Sequence, residues 1–446
     1  MVNEEDVLSL SLKHNFWTWS VQQHVEVLSV KKAKGVYFWC HDGKQFLDFN
    51  SMVMCVNIGH GDERVINAMV EQLRDLPFAG PHMATKPRAL LGKMLAEITP
   101  GGLDHFLYTL GGSDANENAV KLARAYTGKY KILTRYRSYH GSTMGAIALT
   151  GDRRRLAWEP NVMPGVVHFL DPYRYRSVFF KNMQNVSDSE FAQAYLDHLE
   201  EIVICERPEN IAAIMLEPVT GTNGILIPPE TYLQGVRDIC DRYKILMVAD
   251  EVMSGFGRTG KWFAVDHWDV KPDIITMAKG LTSGYAPLGA VAMKPEIAAH
   301  FNDKVFYGGL TYNGHPVSLA AAIGTIHVMQ ADNLVEKSAI RGVTLSRLLE
   351  DLMQKHPCVG EVRSIGLFGA IELVKNRETR EPISNLNQPL SEIMIEVRHY
   401  ILEHGVFIHV NYNVILIIPP LIITDQELEA GFKVIDEALN IADAEM

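Results

Sequence analysis

Residues 245–281 read ILMVADEVMSGFGRTGKWFAVDHWDVKPDIITMAKGL. Two short runs rich in branched residues in this stretch, ILMVA at 245–249 and DIITMA at 273–278, each lead to a charged side chain, Asp250 and Lys279. A third run upstream, IAAIML at 211–216, leads to Glu217. Short branched runs alternating with helical stretches such as ENAVKLARAY predict an α/β fold, with a mostly parallel central sheet and helices on both faces. In such a sheet, ligands bind beyond the carboxyl ends of the strands, where these three side chains fall. The same stretch holds a formal GxGxxG, Gly255 to Gly260. A dinucleotide fingerprint must open a helix directly, and here the chain continues KWFAVDHW, so a dinucleotide site is not expected.

Upstream, VEVLSVKKAKGVYFWC and KQFLDFN are extended segments meeting at His41-Asp42-Gly43-Lys44, whose Asp-Gly pair fits a hairpin turn. Downstream of about residue 325, the helical stretches IRGVTLSRLLEDLMQ and IMIEVRHYILEHG interleave with VRSIGLFGAIELV and VILII. The expected organisation is an N-terminal segment of a smaller α+β domain at 1–62, a large domain at 63–325, and the rest of the smaller domain at 326–446.

The 446 residues are 47% hydrophobic and 21% charged, an ordinary globular composition. A net charge of −11 argues against the broad cationic surface that nucleic acid requires. No apolar run approaches the ~18 residues of a membrane span. MVNEEDVLSL places acidic residues where a secretory leader places basic ones, so the expected location is cytoplasmic. Cys40, Cys55, Cys205, Cys240 and Cys358 are scattered without a CxxC pair, which argues against a disulfide framework or a metal site and for buried thiols.

A lysine inside MAKGL sits among apolar neighbours, and burial there would favour its neutral, nucleophilic amine. Such an amine can form a Schiff base. That chemistry needs an electron sink, which pyridoxal phosphate supplies when a carboxylate such as Asp250 keeps its ring nitrogen protonated. It also needs a phosphate cradle, and Gly111, Gly112 and Ser113 stand immediately before a helix whose N-terminal amides attract an anion. Tyr139, followed by His140 and Gly141, could lay an aromatic ring against the cofactor.

Taken in order, GGSDANENAVKLAR, YRSYHGST, EPVTGTNG, ADEVMSGFGRTG, MAKGLTSGYAPLGA, GLTYNGHP and IIPPLIIT resemble the pyridoxal-phosphate-dependent class III aminotransferases of fold type I, the group that includes ω-amino-acid transaminases. The resemblance runs over nearly the whole chain. It implies that Lys279 is the Schiff-base and proton-transfer lysine, that Asp250 pairs with the pyridine nitrogen, and that Val252 and Tyr139 pack on the two ring faces. Gly112 and Ser113 match phosphate ligands, and His140 and Glu217 fall among the cofactor contacts. Thr311 matches a phosphate ligand received from a second subunit, which implies a homodimer with shared active sites.

The resemblance also implies an amino donor and a 2-oxo acid acceptor, with taurine, β-alanine or 4-aminobutyrate as donor and pyruvate or 2-oxoglutarate as acceptor. Two departures bear on the donor. An arginine common three residues before Pro-Pro-Leu is Leu416 here, and a movable arginine of the preceding loop is His409. A pocket-wall tryptophan is replaced at Met54. Recognition of a substrate anion is therefore expected from Arg153, Arg154 and above all Arg155, with Trp17 and Trp19 of the run Phe16-Trp17-Thr18-Trp19. Other reactions on the same fold are a glutamate-1-semialdehyde-type mutase or a decarboxylase, although GFGRTG and Pro-Pro-Leu look like the transaminase branch. A non-catalytic cofactor-binding protein is the third reading, and the presence of both Lys279 and Asp250 argues against it.

Overall fold

The computed structural model describes residues 6–159, 161–181 and 185–446. Met1–Glu5, part of the stretch read for a leader, lie outside the described residues. Near the N-terminus, β1 (Val30–Lys34), β2 (Tyr37–Cys40) and β3 (Gln45–Asp48) form an antiparallel meander, with β2 and β3 joined through the expected Asp42-Gly43 turn.

The central sheet comprises β4 (His105–Thr109), β5 (Lys131–Arg135), β6 (Val166–Phe169), β7 (Ile211–Leu216), β8 (Leu246–Asp250), β9 (Ile274–Met277) and β10 (Gly289–Met293). Its order is β4-β10-β9-β8-β7-β5-β6, and only β10 runs against its neighbours. Successive side chains of these strands enter two different cores, because strand side chains alternate between faces. Ile214, Leu216, Met247, Ala249, Ile275 and Met277 join Phe191 and Tyr232 of the helices Asp188–Cys205 and Tyr232–Tyr243 on one face. Ala213, Met215, Val248, Ile274 and Val291 meet Ala115, Ala119 and Leu122 of the helix Gly112–Thr127 on the other. With both faces covered, the six residues of β7 are all buried.

The remaining strands are β11 (Val359–Ser364), β12 (Gly369–Asn376), β13 (Glu381–Pro382), β14 (Val406–Phe407), β15 (His409–Asn411) and β16 (Val414–Ile417). β11, β12, β16 and β15 are hydrogen-bonded in that order, and β13 adds to β12. β14 instead pairs in parallel with β3, carrying C-terminal chain into the N-terminal sheet.

The Gly255–Gly260 motif forms turns rather than opening a helix. Its Arg258 is fully buried and donates to the carbonyls of Leu367 and Pro419, to Ser51 Oγ and to Asn57 Oδ1, tying together three distant parts of the chain. Not every thiol is buried: Cys205 is exposed at a helix end and Cys55 is half-buried, while Cys40, Cys240 and Cys358 are enclosed.

Candidate active site

A cavity of about 690 Å³ opens beyond the carboxyl ends of β7, β8 and β9. It is lined by Lys279, Asp250, Glu217, Gly112, Ser113, Tyr139, His140 and Val252, which the sequence singles out, together with Met54, Trp19 and His409. Lys279 lies two residues past β9 at the start of a tight 3-10 turn, half-buried, with φ of 34°. That backbone angle is uncommon for a side-chain-bearing residue and marks local strain on the cavity wall.

Asp250 ends β8 and is 3% exposed. Its Oδ2 accepts from His140 Nδ1 and from Asn116 Nδ2, each at 2.7 Å, and its Oδ1 accepts from the Val252 amide at 3.0 Å. A donating Nδ1–H fixes the tautomer and orientation of the His140 ring, which is enclosed and lies 3.1 Å from Thr134 Oγ1 through Nε2. Oδ1 retains a lone pair for one more donor. Asn116 is a residue that the sequence reading missed: it sits one turn into the helix Gly112–Thr127 and also donates to the His140 carbonyl at 2.7 Å. An asparagine within a helical stretch carries no signal of a partner 134 residues away.

Glu217 is buried, and desolvation raises its pKa. It does not face open solution: Oε1 accepts from the Tyr139 amide at 2.9 Å and Oε2 from the Gly221 amide at 2.7 Å, so it holds the Tyr139 loop in place. One face of the Tyr139 ring is covered by the Arg154 guanidinium, 3.7 Å from the centroid, and its hydroxyl lies 2.8 Å from Ser142 Oγ. The helix N-terminus at Gly112 supplies orphan amides, and a Cβ added there would come within 2.9 Å of Val252 Cγ1. Gly141, at φ 136°, lets the chain pass where a Cβ would lie 2.3 Å from Ser113 Oγ. Glycine at these two points therefore keeps backbone, Ser113 and Val252 in contact around one small space. A buried carboxylate with a free lone pair, a lysine, an anion-attracting helix end and two apolar or aromatic walls fit a phosphorylated pyridine.

The opposite wall carries the departures. Leu416 of β16 is fully buried, and His409 of β15 is its cross-strand partner, so the two positions where arginines were expected are neighbours. Burial pushes the His409 imidazole down to about 4, with the charges of Arg154, Lys279 and Arg398 adding to the effect. It is therefore neutral near pH 7. Arg153 and Arg154 line the cavity. Arg155 does not: it pairs with Glu159 four residues on, because the short helix Arg153–Leu156 turns it to another side. Trp17 is also absent from the lining, its amide donating to Gln22 Oε1 at 2.9 Å, whereas Trp19 faces the cavity mouth. Thr311 lies in a separate hollow of about 320 Å³ with Arg88, Tyr108 and Asn313. Asp152, which caps that short helix and chelates Arg154, and Arg398 are lining residues the sequence reading did not name.

This site at the strand ends of a mostly parallel sheet is that of a fold-type I pyridoxal-phosphate-dependent enzyme. Its family follows from comparison: the class-III aminotransferase family matches residues 18–439, and the chain belongs to it. The chain is 40% identical to the solved taurine:2-oxoglutarate aminotransferase of Bifidobacterium kashiwanohense, whose structure holds PLP and glutamate. That likeness covers 100% of this chain and 99% of that one at a TM-score of 0.95. It is 35% identical to the putrescine–pyruvate aminotransferase of Pseudomonas aeruginosa over 90% of this chain and 88% of that protein. It is 34% identical to the taurine–pyruvate aminotransferase of Bilophila wadsworthia over 86% and 85% respectively. No helix among the described residues is long and apolar enough to cross a membrane.

Proposed function

We propose that this aminotransferase takes the amino group of an ω-amino acid or related amine, taurine first and then β-alanine or 4-aminobutyrate, and passes it to pyruvate or 2-oxoglutarate. The observation that carries this reading is the cationic wall: Arg153, Arg154 and Arg398 line the same cavity as Lys279 and Asp250. A donor with an amine at one end and an anion at the other spans that arrangement.

Pyridoxal phosphate, when bound, supplies the electron sink for carbon–hydrogen cleavage beside the transferred nitrogen. Lys279 would hold the cofactor covalently at rest, and its Nζ, freed when the donor's amine takes its place, would carry the proton that leaves the donor carbon. Asp250, fixed by three donors, keeps the pyridine nitrogen protonated through its remaining lone pair. Val252 and Tyr139 would flank the ring, Gly112 and Ser113 would bind the phosphate, and His140 and Glu217 position Asp250 and the Tyr139 loop. Thr311 reaches the phosphate of a second copy in a homodimer. The large domain is 63–325, and 1–62 with 326–446 form the smaller one, in keeping with the pairing of β14 to β3. The enzyme is cytoplasmic in this reading.

A screen of taurine, β-alanine, 4-aminobutyrate and putrescine against pyruvate and 2-oxoglutarate tests the donor. Turnover of an anionic ω-amino donor well above that of putrescine is expected; preference for the diamine would replace the reading.

A further inference from the structure

The cavity's arginines differ in how firmly the protein already holds them. Arg154 donates to both carboxylate oxygens of Asp152, at 3.1 and 3.0 Å from Nε, and lies flat on Tyr139. Asp152 is 6% exposed and is itself fixed by Asn223 at 3.0 Å, so this pair has no easy exchange. Arg153 donates to the Gln388 carbonyl at 2.8 Å and sits over the Tyr412 ring. Arg398, on the helix Glu392–Glu403, is held differently. Its Nη2 donates to Glu26 Oε2 at 2.6 Å and lies 3.2 Å from His399 Nε2, while Nη1 donates to no described residue. The carboxylate of Glu26 is 63% exposed and belongs to an irregular stretch just before β1. An ion pair with one partner so exposed contributes little and opens readily.

We propose that Arg398 is the residue that receives the substrate's carboxylate or sulfonate, and that Glu26 is the counter-ion it exchanges for that anion. The inference rests on the reading that a substrate with an anionic end enters this cavity. The free Nη1 and the Nη2 released by Glu26 form a two-pronged end that a planar carboxylate or a sulfonate edge can bridge. His409, which lines the same cavity and whose neutral form is favoured by the charges of Arg154, Lys279 and Arg398, adds no cation of its own. The two positions that lack the expected arginine are thus compensated from a helix rather than from β15 and β16. An amine without an anionic group leaves the Glu26 pair closed, so one cavity takes both donor types.

The test uses the holoenzyme, a simple alkylamine without an anionic group as donor, and propane-1-sulfonate as a non-reacting competitor. The readout is the ratio of the sulfonate inhibition constant to the half-saturation for the amine. In Arg398→Gln this ratio should rise by about 10- to 150-fold, the range of a lost charge-assisted pair. Arg398→Lys should recover part of it. Glu26→Gln, on an exposed carboxylate whose loss the fold should tolerate, should shift the ratio the other way, toward tighter sulfonate binding. A ratio unmoved by Arg398→Gln, or a Glu26→Gln shift toward weaker sulfonate binding, overturns the proposal. Because the sulfonate is never transaminated, a wild-type enzyme that binds it through Arg398 yet rejects taurine would refute the donor reading and leave this one standing.

Discussion

At the scale of single residues, the site is a set of groups whose neighbours decide their chemistry. Lys279 is the cavity's lysine at the strand ends, and Lys279→Ala should lower turnover by several orders of magnitude and abolish borohydride-fixed cofactor on the intact chain. A variant with wild-type turnover would remove Lys279 from its role. Asp250→Asn keeps size and the hydrogen bond to Val252 but loses the negative charge, so cofactor should still bind while the donor half-reaction slows by about 10²-fold or more; single-turnover absorbance would show it. His409 gives a pH prediction with a definite sign. Its folded value of about 4 lies below the ordinary 6.5. Between those values the unfolded chain binds a proton that the folded chain refuses, so this residue's contribution makes stability fall as pH drops from 6.5 to about 4 and adds no further loss below. His409→Gln lacks that loss, and its thermal midpoint should gain on the wild type across the same window; parallel curves would contradict the half-buried neutral imidazole.

At the scale of elements, the helix Gly112–Thr127 does two jobs with one sequence. Its apolar face, Ala115, Ala119 and Leu122, packs on the sheet, and its N-terminus opens at the cavity. Gly112→Ala puts a methyl group 2.9 Å from Val252 Cγ1, an overpacking of about 1–3 kcal/mol that falls on the cofactor cradle. Cofactor affinity, followed by absorbance titration, should fall by roughly 5- to 150-fold, and adding Val252→Ala should restore much of it. If the single variant binds as the wild type does, Gly112 and Val252 do not jointly shape the cradle. The strained turn Ser51–Met54, with positive φ at Ser51, Met52 and Met54, is held by the buried Asp48, which accepts from the Met52 and Asn50 amides. That turn places Met54 on the cavity wall.

At the scale of the whole molecule, the cavity is made by parts of the chain that are remote in sequence: Trp19 and Met54, the strand ends from Glu217 to Lys279, and His409 with Arg398. Thr311 sits outside it, beside the exposed Tyr307, Leu310 and Tyr312 and near Phe78, a hydrophobic surface suited to a second copy. The expectation is a dimer by sedimentation whose cofactor affinity falls when Tyr307 and Leu310 are both changed to Glu. Thr311→Ala should weaken cofactor binding in the dimer and make no difference in that monomeric variant. A monomer that holds cofactor as tightly as the dimer would end the shared-site proposal.

The parallel sheet and the groups at its strand ends were legible in the sequence, because a strand buried on both faces must read as an unbroken apolar run, and the first polar residue after it must lie at the sheet's edge. IAAIML before Glu217 and ILMVA before Asp250 show this without any tertiary information. The hairpin at Asp42-Gly43 was legible for a similarly local reason, since the turn imposes its own backbone angles. What surrounds the anion was not. Three consecutive arginines look alike in sequence, yet a four-residue helix sends Arg153 and Arg154 to the cavity and Arg155 to Glu159. Asn116, Arg398 and Glu26 gained their significance only from partners brought close by folding, and the neutrality of His409 only from enclosure beside three cations. Local patterns record which way a side chain must point relative to its own strand or turn. Which charge stands opposite is a long-range property, and the packing of one segment against another decides it.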